Sequence, residues 1–205
     1  MIHKIILING PPYSGKDMAA KILRRAIGVR VYKMSRPLKD GLREFFGFTT
    51  DAIHRVIEPF KDQRVVELFT AGEGPMSWRE VQVSLSETWA KPLFGDDILG
   101  RIAVNYLTQP TSFPITVIPD SGFRAEALPL VKAFGAENVL LIQLTKVECS
   151  FEGDSRSYIE LDDLGVTTVL LDNRYPLIAT DDMPITFEMQ LGQAVRGWLG
   201  EEQEV

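Results

Sequence analysis

Residues 5–23 constrain what this chain can fold into more than any other stretch. Ile5-Ile6-Leu7-Ile8 is a short apolar, largely β-branched run that reads as a buried strand. Gly10-Pro-Pro-Tyr-Ser-Gly15-Lys16-Asp17 follows at once, and Met18, Ala19, Ala20, Ile22 and Leu23 continue at helical spacing. A strand, a GxxxxGK loop and a helix in that order make a phosphate-binding loop credible. Gly10 and Gly15 let the backbone fold its N–H groups inward around phosphate oxygens. The helix N-terminus adds partial positive charge, and Lys16 has the reach for the outer phosphates. One position departs from the motif: the Ser or Thr that usually follows the lysine, and whose hydroxyl meets Mg²⁺, is Asp17. A carboxylate beside phosphates is unfavourable unless it faces Mg²⁺, a water of its shell, or a basic side chain.

The rest of the chain alternates strands with helices. A helix over 15–27 stopping near Gly28, a second strand over 29–34 and a helix opened by Ser35 and Pro37 come first. A helix over 50–57, a polar stretch 58–64 and a turn at Gly72-Glu-Gly-Pro75 follow. Ser77-Trp-Arg-Glu80 has the form of a capping box, with Val81, Leu85 and Trp89 continuing the helix, and another helix covers 97–107. Strands over 113–118, 138–144 and 166–171, a helix over 124–134 and a last helix over 185–199 complete the pattern, before the solvated acidic tail 201–204. The expectation is a single α/β domain, a parallel sheet of about five strands flanked by helices, with a core of 1–35, 113–146 and 166–200. Two excursions, 36–112 and 147–165, leave the carboxyl ends of strands, where such sheets place ligands. They read as two movable covers over two phosphate-bearing ligands.

Composition narrows the class. A net charge of −6 supplies no global basic field for a nucleic-acid polymer. Cys149 is the single cysteine, which excludes an internal disulfide and fits a reducing cytoplasm. No apolar run reaches membrane-spanning length, and the first residues lead into a strand without a signal peptide. The expected setting is therefore soluble and cytoplasmic, away from membranes, as a monomer or homodimer.

Three further groups bear chemistry. Asp120 ends the buried run Val117-Ile118-Pro119, where a phosphate-loop fold holds the water ligands of its metal, and Arg124 can grip a phosphate with its planar fork. The plainer alternative is a helix cap and a solvated arginine. Arg156, in the polar stretch 151–158, can neutralise charge on a transferring phosphoryl group once that stretch closes; otherwise it is a surface Arg–Asp pair. Ser35, Arg36, Lys39, Lys61, Arg64, Arg79, Gln82 and Glu87 are scattered through the first excursion, with Arg79 the strongest because it opens a helix. His3 and His54 read as surface residues, and Trp78, Trp89 and Trp198 as packing, with base stacking a second option for Trp78.

These segments together, Gly10–Asp17, Met34–Lys39, Trp78–Gln82, Asp120–Glu126 and Asp154–Arg156, resemble nucleoside monophosphate kinases, and most of all the deoxynucleoside monophosphate kinases of tailed bacteriophages. The GKD ending is found in that phage group. The likeness spans nearly the whole chain in order; the phosphate loop is specific alone, the other motifs only together. Adenylate kinases are similar through an Asp-Gly-Phe-Pro-Arg segment, here Asp120-Ser-Gly-Phe-Arg124 without the proline, and they carry several lid arginines where this chain has one.

The resemblance implies a P-loop kinase fold with 36–112 as the monophosphate-binding excursion and 147–165 as the lid. It implies ATP and Mg²⁺ as cofactors, a dNMP acceptor, and the host cytoplasm as setting if phage-encoded. ATP would be bound by Gly10, Ser14, Gly15, Lys16, Asp17 and Met18, with Asn173 near the adenine. Asp17 and Asp120 would order the metal's waters. The acceptor would meet Ser35, Arg36, Lys39, Arg79, Gln82 and Arg124, and the catalytic set would be Lys16, Asp120, Arg124 and Arg156. Phosphomevalonate kinase shares a GKD-type loop and is an alternative. A P-loop NTPase would hydrolyse without acceptor, and a non-catalytic nucleotide-binding module would bind and turn over nothing.

Overall fold

The computed structural model describes residues 3–64, 70–71, 74–174 and 186–200. In chain order the elements are β1 (Lys4–Asn9), α1 (Lys16–Ile27), β2 (Arg30–Val31), α2 (Arg36–Phe45), α3 (Thr50–Ala52), β3 (Thr70–Ala71), β4 (Gly74–Pro75), α4 (Trp78–Ser84), α5 (Lys91–Phe94), α6 (Ile98–Leu107), β5 (Ile115–Ile118), α7 (Arg124–Phe134), β6 (Val139–Thr145), β7 (Thr167–Asp172) and α8 (Phe187–Leu199). Five strands form one parallel sheet in the order β2-β5-β1-β6-β7.

The apolar run of β1 explains why the sheet forms around it. Ile5 to Ile8 are all fully buried, and alternate residues serve opposite faces. Ile5 and Leu7 pack with Ala103 and Leu107 of α6 and Ala127, Leu130 and Val131 of α7. Ile6 and Ile8 pack with Ala19, Ala20 and Leu23 of α1 and Leu191 and Val195 of α8. Burial on both faces is why the strand shows no polar alternation until Asn9.

The chain divides into two compact units, Met1–Met34 with Gly100–Val205, and Ser35–Leu99. The excursion expected to run to 112 therefore ends sooner, because Ala103 and Leu107 belong to the sheet's core. The smaller unit has its own core of Leu42, Ile53, Ile57 and Trp78. Ser77 accepts from the Glu80 N–H while the Glu80 carboxylate takes the Ser77 N–H, completing the capping box. The helix expected over 50–57 is α only to Ala52, then widens to a π-turn over Ile53–Ile57 and tightens to a 3₁₀ turn at Glu58–Phe60. Pro59, having no N–H, cannot extend the regular ladder.

Other expectations shift slightly. β2 is two residues rather than six, although the Tyr32 N–H still reaches the Val117 carbonyl at 3.0 Å. β5 begins at Ile115, just after Pro114. Ser35 stands at the N-cap of α2 in helical backbone with no capping bond from its side chain. The acidic tail, and residues 72–73 of the turn at 72–75, lie outside the described residues.

Candidate functional site

The loop between β1 and α1 has the shape its glycines permit. A Cβ on Gly10 would sit 2.7 Å from the Leu144 carbonyl oxygen and 2.8 Å from Ser14 Oγ, so only glycine fits there. Gly15 adopts φ 99°, a left-handed conformation, and a Cβ on it would collide with the Asn173 amide. Asn173 Nδ2 donates to the Ser14 carbonyl at 2.9 Å, so the end of β7 braces the loop. Asn173 is 2 % exposed and lies under the loop. Ser14 Oγ and Asn173 Oδ1 are buried with no hydrogen-bond partner among the described residues. Met18 is exposed on the first turn of α1.

Lys16 folds back on its own loop, Nζ donating to the carbonyls of Gly10 at 2.6 Å and Pro11 at 2.5 Å. Burial pushes its pKa down to about 8; the positive charge of Arg156 adds to the drop, and Asp17, Asp154 and Cys149 oppose it. Asp17 faces a basic side chain, its carboxylate 2.8 Å from Lys33 Nζ. That pairing is one of the three ways an aspartate can be tolerated beside phosphates.

Arg156 lies over Gly122, where a Cβ would clash with its side-chain carbons. Its guanidinium bonds Asp154 at 2.8 and 2.5 Å, and its backbone N–H meets the same carboxylate at 3.0 Å. The hydrogen bond that the guanidinium donates to Asp154 raises the arginine's pKa further, against burial, and the negative charges of Asp154, Asp120 and Glu126 add to it. Asp120, on the loop after β5, accepts from the Met34 N–H at 2.8 Å. The structure thus gathers Lys16, Asp17, Asp120, Asp154 and Arg156 within electrostatic reach of one another in a chain of neighbours.

Arg124 is placed differently. It forks onto Asp163 at 2.9 and 2.6 Å and also donates to the Glu160 carbonyl. The same arginine rims a pocket of about 270 Å³ with Phe123, Ser155, Ser157 and Tyr158. In the 35–99 unit four of the expected acceptor residues have local partners. Arg36 pairs with Asp40, Lys39 with Glu58 at 2.6 Å, Arg79 with Asp62, and Gln82 donates to the Trp78 carbonyl of its own helix. Trp78 is 2 % exposed core, so base stacking is excluded for it. Trp89 is the exposed indole of that unit and lines a largely apolar pocket of about 230 Å³.

Sequence reading missed three contributors. Lys33 as the partner of Asp17 had no signal beyond its charge. Asp154 was visible only as the plain half of a surface pair. Asn9 was visible as the one polar residue closing an otherwise apolar strand, and it is 1 % exposed.

The loop implies two groups, a nucleotide and its metal. The glycine cradle and the orphaned Ser14 hydroxyl fit a nucleotide's phosphates. Among the described residues no three His, Cys, Asp or Glu side chains gather to hold a metal. Mg²⁺ at nucleotide sites takes only one or two carboxylates plus phosphate oxygens and water, and the hard oxygens of Asp120 and Asp17 fit that donor set.

No helix among the described residues is long and apolar enough to cross a membrane. No protein-family model matches the chain, and no curated protein matches it. Solved structures do. The Thermus thermophilus protein TT1252 is 16% identical over 99% of this chain and 100% of its own, with a TM-score of 0.47. Shikimate kinase from Acinetobacter baumannii is 13% identical over 98% and 96%, TM-score 0.41. A gluconokinase from Sinorhizobium meliloti is 12% identical over 98% and 91%, TM-score 0.39. At such distances these likenesses carry no functional weight. The fold is an α/β fold in which one parallel sheet, flanked by helices, sends a glycine loop of phosphate-binding form out of its central strand.

Proposed function

We propose that this protein is an ATP-dependent kinase that phosphorylates a deoxynucleoside 5′-monophosphate, giving dNDP and ADP. The observation that carries the reading is Lys16, half-withdrawn into its loop against two backbone carbonyls, with Arg156 beside it. A lysine held this way has its charge ready for phosphate oxygens that outcompete neutral carbonyls.

In the proposed reaction an ionised oxygen of the acceptor phosphate forms the new bond to the γ-phosphorus. The bond from that phosphorus to the β–γ bridging oxygen breaks, and ADP leaves. The acceptor oxygen is already ionised at neutral pH, so no side chain is needed as general base. Gly10, Gly15 and Ser14 cradle the phosphates, and Lys16 holds the outer two. Arg156 exchanges part of its bonding to Asp154 for the charge of the transferring group. Asn173 keeps the loop in shape. Asp120 and Asp17 hold the waters of Mg²⁺, which when bound neutralises phosphate charge. Arg124 and Arg79 are the candidates for the acceptor phosphate, and each must first leave its carboxylate partner.

The deciding experiment is a coupled ADP-release assay with ATP and Mg²⁺ against each common dNMP and NMP, mevalonate phosphate, and no acceptor. Release that depends on a dNMP supports the reading and ranks the bases. Release without acceptor assigns an NTPase, release with mevalonate phosphate assigns that kinase, and silence with ATP binding intact leaves a non-catalytic module or an acceptor outside the tested set and withdraws the roles of Arg79, Arg124 and Arg156.

A further inference from the structure

Three loops of the sheet unit carry the proposed site residues: the phosphate loop after β1, the Asp120 loop after β5, and the 147–165 segment that bears Arg156. A single buried side chain touches the second and third and belongs to the residue from which the first departs. Asn9, the last residue of β1 and the neighbour of Gly10, donates from Nδ2 to the Ser121 carbonyl at 2.9 Å and to the Ser157 carbonyl at 3.1 Å. Its Oδ1 accepts from the Ile159 N–H at 3.1 Å. Both amide protons and the amide oxygen are used on backbone groups, one residue beyond Asp120 and one beyond Arg156.

A second amide completes the arrangement. Gln143 is the register partner of Asn9 on β6, and its Nε2 donates to the Ile159 carbonyl at 2.8 Å. Ile159 is therefore held at both its N–H and its carbonyl by two side chains from adjacent strands, with its own side chain 3 % exposed in the core. Tyr158 adds a bond from its hydroxyl to the Leu144 carbonyl at 3.0 Å. The carboxyl-terminal arm of the segment is thereby fixed to the sheet, and Arg156 hangs one residue before the first clamped carbonyl.

We propose that Asn9 and Gln143 form a two-amide clamp that positions Arg156 over the phosphate loop, and that both are positioning residues for phosphoryl transfer. The inference rests on the kinase reading above. With Ser157 and Ile159 tied to β1 and β6, any closure of the segment pivots before residue 157, so the guanidinium swings while its anchor stays in place. A side chain of this kind acts through distance, and a misplacement of about 1 Å costs on the order of a hundredfold in rate.

The test uses the full chain with two variants, Asn9→Ser and the milder Gln143→Met, each alone and combined with Arg156→Ala. Positioning through Arg156 predicts a fall in kcat of roughly ten- to a hundredfold for the single variants, with KM for ATP changed less than about threefold. In the Arg156→Ala background the same substitutions should cost less than about twofold. Full additivity with Arg156→Ala overturns the proposal, as does an unchanged kcat. Amide hydrogen exchange gives a readout independent of turnover: Gln143→Met should speed exchange at residues 155–159 while α1 and β5 keep wild-type protection. Unchanged protection at 155–159 overturns the clamp even if the wild-type chain proves to have no kinase activity, which would instead remove the reading on which Arg156's role stands.

Discussion

The cations of the two units are used in opposite ways. In the sheet unit, Lys16 and Arg156 come from loops over a hundred residues apart in sequence and are close enough that the charge of Arg156 lowers the pKa of Lys16. In the 35–99 unit, Arg36, Lys39, Arg43, Arg64 and Arg79 each sit beside a carboxylate of the same unit. Bringing like charges together is unfavourable unless an anion lies with them, and Asp154, bonded to Arg156 and within reach of Lys16, supplies part of that charge. A cation paired with a nearby carboxylate on an exposed helix has found a resting state that solvation alone explains. Arg124 stands between these cases: it lines a pocket in the sheet unit yet is forked onto Asp163.

The largest expected effect is at the convergent pair. Lys16→Ala should lower kcat by on the order of a thousandfold or more and leave the thermal unfolding midpoint within a few degrees, as measured by coupled assay and calorimetry. Turnover near wild type would erase the distinction between the two units.

Arg124 sharpens it next. If the arginine leaves Asp163 for an acceptor phosphate, Arg124→Ala should raise the acceptor KM by roughly a hundredfold, and Asp163→Asn should lower it by a few-fold because the competing carboxylate charge is gone. Equal and small effects from both variants would return Arg124 to the class of surface pairs.

The pH dependence of ATP binding tests Lys16 from another side. Its pKa is lowered to about 8, so the free protein carries the charge below that pH and loses it as the pH rises past it. Phosphate binds the charged form and pulls the proton back. KM for ATP should thus be flat below about pH 8 and climb by up to about tenfold per unit above it. Stability runs the other way: holding Lys16 charged in its buried place opposes folding at low pH, and that opposition fades as the pH rises through 8 towards the ordinary lysine value.

The smallest effect is at a purely local feature of the 35–99 unit. Ser77→Ala removes one half of the capping box and should cost about 1 kcal/mol in denaturant unfolding, with no change in the KM of ATP.

By itself the sequence determined the strand–loop–helix at residues 4–27, the capping box at Ser77, the arginine-led helix from Arg124 and the buried strands, because each is fixed by neighbours within a few residues. It also indicated that Lys16 would end a glycine loop, because the spacing lies between an apolar strand and a helical run. What only the tertiary structure decided is who faces whom. Lys33 answers Asp17, Asp163 holds Arg124, Asn173 braces Ser14, and Asn9 with Gln143 grips Ile159 across 150 and 16 residues of chain. Those pairings follow from strand order and loop return, which bring together residues with no periodic relation in sequence. A hydrogen bond depends on angle and on distance to within a few tenths of an ångström, and that information resides in the packed sheet, not in the order of its residues.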